Sequence, residues 1–247
     1  MAQKLDILIV GYGKMGRAIE TLARQRGHKV VAIISDRQTD LNHICKTYKP
    51  SVALEFTHPA SAPHNIETLI EAGIPTVSGS TGWLEHFAQI EALVKLEKGS
   101  FFYASNFSLG MNITFRLAEM TAQFLNLHPE YEVDMEEIHH TEKKDKPSGT
   151  AITLANKIIS KLDRKKNWKL DEPSSKESIG IQSIRKDHVP GTHTVRFHSE
   201  IDEIEIRHTA HNRMGFALGA LLAAEWMSGK RGIFGMDDLM AEAFEKV

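Results

Sequence analysis

The chain has 247 residues, 41% hydrophobic and 25% charged, proportions of a folded globular protein and too apolar for a disordered one. Lys plus Arg number 30 and Asp plus Glu 32, a formal charge of −2 that argues against a nucleic-acid partner but leaves room for a local basic pocket. A single cysteine, Cys45, permits no intramolecular disulfide, and no run approaches the roughly 18 apolar residues of a membrane span, so a cytoplasmic protein without membrane contact is expected.

In chain order, residues 7–10 form a continuous aliphatic run, as in a strand buried on both faces. Helical periodicity over 15–26 stops at Gly27, suited to a C′ position. Strands are expected at 30–34 and 52–56, a helix at 62–72 stopped by Gly73, and strands at 75–77 and 101–103. Strand and helix alternating at this spacing describe parallel β-α-β units in a doubly wound α/β sheet. Beyond Gly110 the pattern changes. Residues 112–125 read as a long helix, and 193–197 and 202–208 alternate apolar with polar. Ile204 and Ile206, flanked by Glu203, Glu205 and Arg207, describe a sheet with one wet face. The Lys- and Glu-rich stretch 163–178 reads as a surface excursion, and helices at 214–228 and 236–246 would return to the first domain.

The first strand runs straight into Gly11-Tyr12-Gly13-Lys14-Met15-Gly16, a G-x-G-x-x-G. Such glycines permit a tight turn, close approach of backbone to a pyrophosphate, and close packing of helix on strand. Asp36 follows 20 residues after the last glycine, where a carboxylate meets the ribose of a dinucleotide. Beside it, Arg37 could pair with a 2′-phosphate, so either NADH or NADPH remains open as cofactor. Two further loops, Phe56-Thr57-His58-Pro59 and Gly79-Ser80-Thr81-Gly82, fall at strand C-terminal ends, where such sheets bind ligands.

A second chemical centre is read in residues 137–151, where His139, His140, Lys143, Lys144 and Lys146 precede a helix beginning near Thr150. Gly149 and Thr150 can offer backbone N–H groups and a hydroxyl to an anion, reinforced by the helix dipole. A carboxylate is the natural guest. Histidine can donate a proton near neutral pH, and a lysine crowded by other cations holds its proton less tightly.

This stretch resembles the dihydrodipicolinate reductase (4-hydroxy-tetrahydrodipicolinate reductase) family, whose pattern E-x-H-H-x-x-K-x-D-x-P-S-G-T-A is met at every fixed position. The resemblance extends to Gly79-Ser80-Thr81-Gly82, Ser105-Asn106-Phe107-Ser108, Ser183-Ile184-Arg185 and Gly191-Thr192-His193. It implies NADH- or NADPH-dependent reduction of a cyclic dicarboxylate to tetrahydrodipicolinate with loss of water. On this chain His139 would be the general acid and Lys143 a second proton donor. His140, Gly149 and Thr150 would hold substrate carboxylates. Gly11 to Gly16 would hold the pyrophosphate, Asp36 and Arg37 the adenosine ribose end, and Gly79, Ser80, Thr81 and Ala104, Ser105, Asn106 and Phe107 the nicotinamide end. The implied fold is an N-terminal Rossmann-type domain (1–107 with 214–247) and an α+β substrate and oligomerisation domain (108–213) with an open mixed sheet, assembled as a homotetramer.

The chain departs from the family in places. Its glycine turn is one residue shorter than the commoner G-A-x-G-[RK]-M-G, Ser80 replaces a commoner Thr, residues 134–137 are more acidic than usual, and Lys186 and Asp187 follow Arg185 where a small residue and glycine are common. Thirteen histidines invite a metal-hydrolase reading, but His208-Thr209-Ala210-His211 lacks a carboxylate or cysteine at ligand spacing, so no metal is expected. A dinucleotide-reporting regulator is disfavoured by the absence of a separate basic DNA-binding segment.

Overall fold

The structure is a computed structural model, which describes residues 4–35 and 39–244. The chain begins with β1 (Asp6–Val10), α1 (Lys14–Gln25), β2 (Lys29–Ile34), α2 (Leu41–Tyr48), β3 (Val52–Glu55), α3 (Ala62–Glu71), β4 (Thr76–Ser78), α4 (Phe87–Leu96) and β5 (Ser100–Tyr103). It continues with α5 (Leu109–Leu125), β6 (Glu132–His139), α6 (Gly149–Ile159), β7 (Asn167–Leu170), β8 (Ser178–Arg185), β9 (Gly191–His198) and β10 (Glu203–Ala210). The last elements are α7 (Met214–Trp226), β11 (Gly232–Phe234) and α8 (Met236–Phe244). Two compact units result: Met1–Ser108 with Met214–Val247, and Leu109–Arg213.

The first unit is an all-parallel sheet in the order β11-β5-β4-β3-β1-β2. Ile7, Leu8, Ile9 and Val10 are buried because β1 is covered on both faces, which is why its sequence is aliphatic without alternation. Strand order reverses beside β1, and ligand crevices of such sheets open at that switch, outside the strand C-termini. On one face Leu8 and Val10 pack with Cys45 of α2 and Leu69 of α3. Glu225 of α7 accepts from both Nε and Nη2 of Arg26 at 2.9 Å and pairs with His28 Nε2 at 2.8 Å, tying this helix to the segment between α1 and β2.

The second unit is a five-stranded mixed sheet, β10-β9-β6-β8-β7, with β6, β9 and β10 antiparallel and β6, β8 and β7 parallel. Its covered face carries Val133, Met135, Ile179, Ile181, Val195 and Phe197, packed on Phe115, Ala118 and Ala122 of α5 and Leu154 and Ile158 of α6. The α/β reading, with a doubly wound parallel sheet and a second open mixed sheet, therefore holds. One expectation is corrected. Residues 163–178 are not only a surface excursion: they contain β7 and the buried Lys165, whose Nζ pairs with Glu132 at 2.6 Å and also reaches Ser175 O. Pairing lets a lysine stand inside, which composition alone cannot reveal. Among the described residues no helix is long and apolar enough to cross a membrane.

Candidate active site

The first unit's cleft forms where β1 and β3 end. Gly11 has φ +97°, and a Cβ there would lie 2.2 Å from Phe56 O, so only glycine lets this turn lie against the loop after β3. Gly16 is packed as tightly, its would-be Cβ 2.2 Å from Gly11 O. Gly13, the N-cap of α1, differs: an added Cβ would meet nothing within 4 Å, leaving bare backbone beside the outward-pointing N–H groups of the helix's first turn. Gly11, Tyr12, Gly13, Lys14 and Met15 form one wall of a cleft of about 1150 Å³. Its other walls come from residues 56–61, His64 and Asn65, and from Gly79, Ser80 and Thr81.

Glu55, fully buried at the end of β3, ties these walls together. Its carboxylate accepts from Thr57 N at 3.1 Å, Ser78 Oγ at 2.6 Å, Ser80 Oγ at 3.0 Å and Thr57 Oγ1. Trp83 Nε1 donates to Ser80 O at 2.7 Å, fixing the second loop from behind. Of the residues expected at the nicotinamide end, Ala104, Ser105, Asn106 and Phe107 do not line this cleft. Phe107 is a core residue, its ring 5.7 Å from that of Phe56 and 5.8 Å from that of Phe102. Asp36 and Arg37 lie outside the described residues.

The second unit's site grows from β6, where alternation puts Val133, Met135, Glu137 and His139 on the buried face. Register then gathers three separated sequence motifs: Glu137 lies opposite Ser183 of β8 and His193 of β9, and His139 opposite Arg185. Glu137 accepts from Ser148 N at 3.0 and 3.2 Å and from Ser183 Oγ at 2.6 Å, with Arg185 Nη1 at 3.5 Å. Its other side faces His139 Nδ1 at 3.4 Å and His193 Nε2 at 3.7 Å. Gly191 makes room for this arrangement, since a Cβ there would lie 3.1 Å from His139 Nε2.

Burial pushes Glu137 upward, but the hydrogen bonds from Ser148 and Ser183 and the nearby His139 outweigh it and hold the carboxyl below its ordinary range. Burial lowers His139 to about 4; Glu137 and Asp145 oppose the fall, while Lys143 and Arg185 deepen it. His193 is lowered to about 3, again chiefly by burial. Both rings are neutral at pH 7.

Lys143 is not crowded by cations as expected. Its Nζ sits on both oxygens of Asp145, at 2.8 and 2.7 Å. Arg185 clamps this loop through Lys143 O at 3.1 Å and Asp145 O at 2.6 Å. The unusual Lys186 and Asp187 also serve it: Lys186 N donates to His139 O at 2.8 Å, and Asp187 accepts from Thr141 Oγ1 at 2.6 Å. Ser148 caps α6 by accepting from Ala151 N at 3.1 Å, which leaves the exposed Gly149 and half-buried Thr150 at the helix start. His140, just past β6, is half-buried. Glu137, His139 and His193 bring possible metal-ligand atoms within 4.8 Å of one another. Arg185 against the same carboxylate, with Lys143 close by, opposes a cation there, and the set reads better as a proton-holding network.

Sequence reasoning overlooked Glu55, and it met Glu137, Asp145 and Ser148 only as positions of a motif, without the hydrogen bonds they make. An acid standing in the buried phase of an alternating strand was the available signal for Glu137, and an acid interrupting the otherwise apolar run of residues 52–56 was the signal for Glu55.

Comparison with known proteins bears on both sites. Residues 5–107 match the family model described as dihydrodipicolinate reductase, N-terminus, and residues 110–240 that described as dihydrodipicolinate reductase, C-terminus. A relative in Christiangramia forsetii, named 4-hydroxy-tetrahydrodipicolinate reductase, is 46% identical over 242 residues, 98% of this chain and 100% of that protein. One of the same name in Lawsonia intracellularis is 34% identical, covering 90% of this chain and 93% of that protein. Among solved structures, dipicolinate-bound dihydrodipicolinate reductase from Paenisporosarcina sp. TG-14 superposes with a TM-score of 0.79 at 23% identity, over 96% of this chain and 99% of that one, a likeness of fold. With both halves matched in order and the likeness to relatives running nearly end to end, this chain belongs to the dihydrodipicolinate reductase family.

Proposed function

We propose that this chain reduces 4-hydroxy-tetrahydrodipicolinate to tetrahydrodipicolinate with NADH or NADPH and loss of water, in the diaminopimelate route to lysine. The observation that carries the reading is the meeting of a buried histidine, a lysine and a helix N-terminus within residues 139–150. The dipicolinate held by the solved family member supports a cyclic dicarboxylate as guest.

The cofactor's fit rests on the cleft at Gly11–Met15, where Gly11 admits no side chain and Gly13 leaves open backbone for a pyrophosphate. Asp36 is assigned to the adenosine ribose, Arg37 to a 2′-phosphate, and Gly79–Thr81, which line the cleft, to the nicotinamide end. When bound, the nicotinamide supplies a hydride for C4 of the substrate ring. Gly149, Thr150 and His140 are assigned to the substrate carboxylates, which the α6 N-terminus favours electrostatically. His139 is assigned the proton delivered to the neighbouring ring carbon, with Lys143 as second donor. The free protein keeps His139 neutral, so the substrate's two negative charges favour its imidazolium and load the proton as the substrate arrives.

A coupled assay tests this reading. Pyruvate and aspartate semialdehyde are condensed by the preceding synthase, and reduced-nicotinamide absorbance is followed on adding this protein. Loss of absorbance that depends on both proteins is the expected result and ranks NADH against NADPH; a flat trace with folded protein and either cofactor would refute it. We further read the protein as a cytoplasmic homotetramer built through the second unit's sheet, a reading supported by the buried lone Cys45 and by the mixed charges of Glu132, Asp134, Arg196 and His198 on one sheet face. Light scattering that returned a monomer's mass would remove it.

A further inference from the structure

Glu137 is the most completely buried acid of the second unit, and its two oxygens have different surroundings. Oε1 takes Ser183 Oγ at 2.6 Å, Ser148 N at 3.0 Å and Arg185 at 3.5 Å, the donors that secure β8 and the start of α6. Oε2 faces two imidazoles, with His139 Nδ1 at 3.4 Å and His193 Nε2 at 3.7 Å, and shares Ser148 N at 3.2 Å. A support for the helix start alone needs only the first set. The two rings stand edge to face with centroids 5.0 Å apart, and Ser148 Oγ lies 3.3 Å from His193 Nε2. His139 Nδ1 is buried and, among the described residues, has no hydrogen bond of good geometry; Glu137 Oε2 is the acid placed to receive one.

We infer that Glu137 is a positioning residue that keeps a proton on His139 Nδ1, leaving Nε2, beside Gly191, as the nitrogen that exchanges protons with the substrate. His193 braces the same carboxylate from β9, so the unit is a carboxylate shared by two histidines. The inference rests on the assignment of His139 as proton donor. In the step itself, the N–H bond at Nε2 breaks as the proton passes to the ring carbon next to the hydride-accepting one. The N–H electron pair stays on the ring, imidazolium becomes neutral imidazole, and the Nδ1 proton remains toward Glu137. A buried anion beside the ring favours the charged form that must exist before transfer. The groups acting on His139 are Glu137 from β6, Lys143 and Asp145 from the following loop, Arg185 from β8 and His193 from β9, while His208 of β10 acts on His193. Among the described residues Glu137 and Asp145 favour the proton, and Asp145 is engaged by Lys143.

The test reads the tautomer directly, by long-range proton–nitrogen NMR on protein carrying ¹⁵N-histidine, with His139 assigned by its loss in His139→Gln. In the native protein at pH 7 the Nδ1–H tautomer is expected; a native Nε2–H tautomer overturns the inference without any variant of Glu137. Glu137→Gln should abolish the tautomer preference, reduce kcat by about thirtyfold or more, leave cofactor Kd and substrate KM within about twofold, and move the falling alkaline limb of kcat, which reports the substrate-bound protein, to lower pH. Glu137→Asp should recover the Nδ1–H form. A Gln variant that keeps the native tautomer and pH profile, losing only thermal stability, would make Glu137 a structural acid. If the native protein fails the coupled assay, the substrate assignment falls, while the tautomer still decides what Glu137 does.

Discussion

At the scale of single residues, two glycines of one motif do different work. Gly11 sits at φ +97° with Phe56 O 2.2 Å from any added Cβ, so its need for glycine is internal to the fold. Gly13 has an ordinary negative φ of −80° and open space where a methyl would stand, so nothing in the protein requires it. Its bareness is explained by a ligand that comes close. Gly11→Ala should therefore lower Tm by more than about 5 °C, given a left-handed strain of roughly 1–2 kcal/mol plus the overlap with backbone. Gly13→Ala should leave Tm within about 2 °C and raise the KM for reduced nicotinamide about tenfold or more, since a methyl would displace the closest phosphate contacts. Thermal melts and steady-state kinetics on the two variants separate these effects. Equal loss of Tm in both, or an unchanged KM in Gly13→Ala, would contradict the division.

At the scale of elements, what could be read in the sequence depended on whether the signal was local. Residues 7–10 announced β1 because burial on both faces leaves only aliphatic residues, and the turn at Gly11–Gly16 announced the start of α1 through its glycines. The start of α6, read near Thr150, was equally local, although its Ser148 cap was not read. Short edge elements were not legible. The three residues of β11 exist because they pair with β5, and β7 because it lies parallel to β8, neither carrying a pattern of its own. The same limit applied to α2, whose single signal was Asp40 accepting from His43 N at 3.0 Å. The segment 137–151 was visible as a motif, but the contacts its side chains make were not. Glu137 meets Ser183 and His193 only through strand register, a long-range property. Asp145 was visible as a motif position, yet its grip on Lys143, which replaces the expected crowd of cations, follows from the folding of the loop.

For the whole molecule, the two units should respond differently to acid. In the second unit His139 and His193 are held neutral, at about 4 and about 3, against an ordinary value of 6.5, and His208 is also lowered, mainly by burial. A histidine depressed in the folded state binds fewer protons there than in the unfolded chain. Its contribution to stability is complete above pH 6.5 and is lost as pH falls through its folded value. Each such group removes about 1.4 kcal/mol per pH unit inside that window, so two of them remove on the order of 3–4 kcal/mol by pH 5, a large share of the usual stability of a domain. Glu137 adds loss of the same sign, but only below its ordinary carboxylate range. In the first unit the lowered groups are the carboxylates Glu20 and Glu225, which begin to matter only near pH 4.5. Single-tryptophan variants separate the two. Trp168 packs against the second unit's core, and Trp83 is buried in the first. With the other two tryptophans changed to Phe in each case, urea titrations read by fluorescence should show Trp168 losing stability from pH 6.5 to 5 while Trp83 holds nearly constant. Parallel loss at both reporters, or none at Trp168 above pH 5, would mean that the buried histidines are not held neutral by the fold.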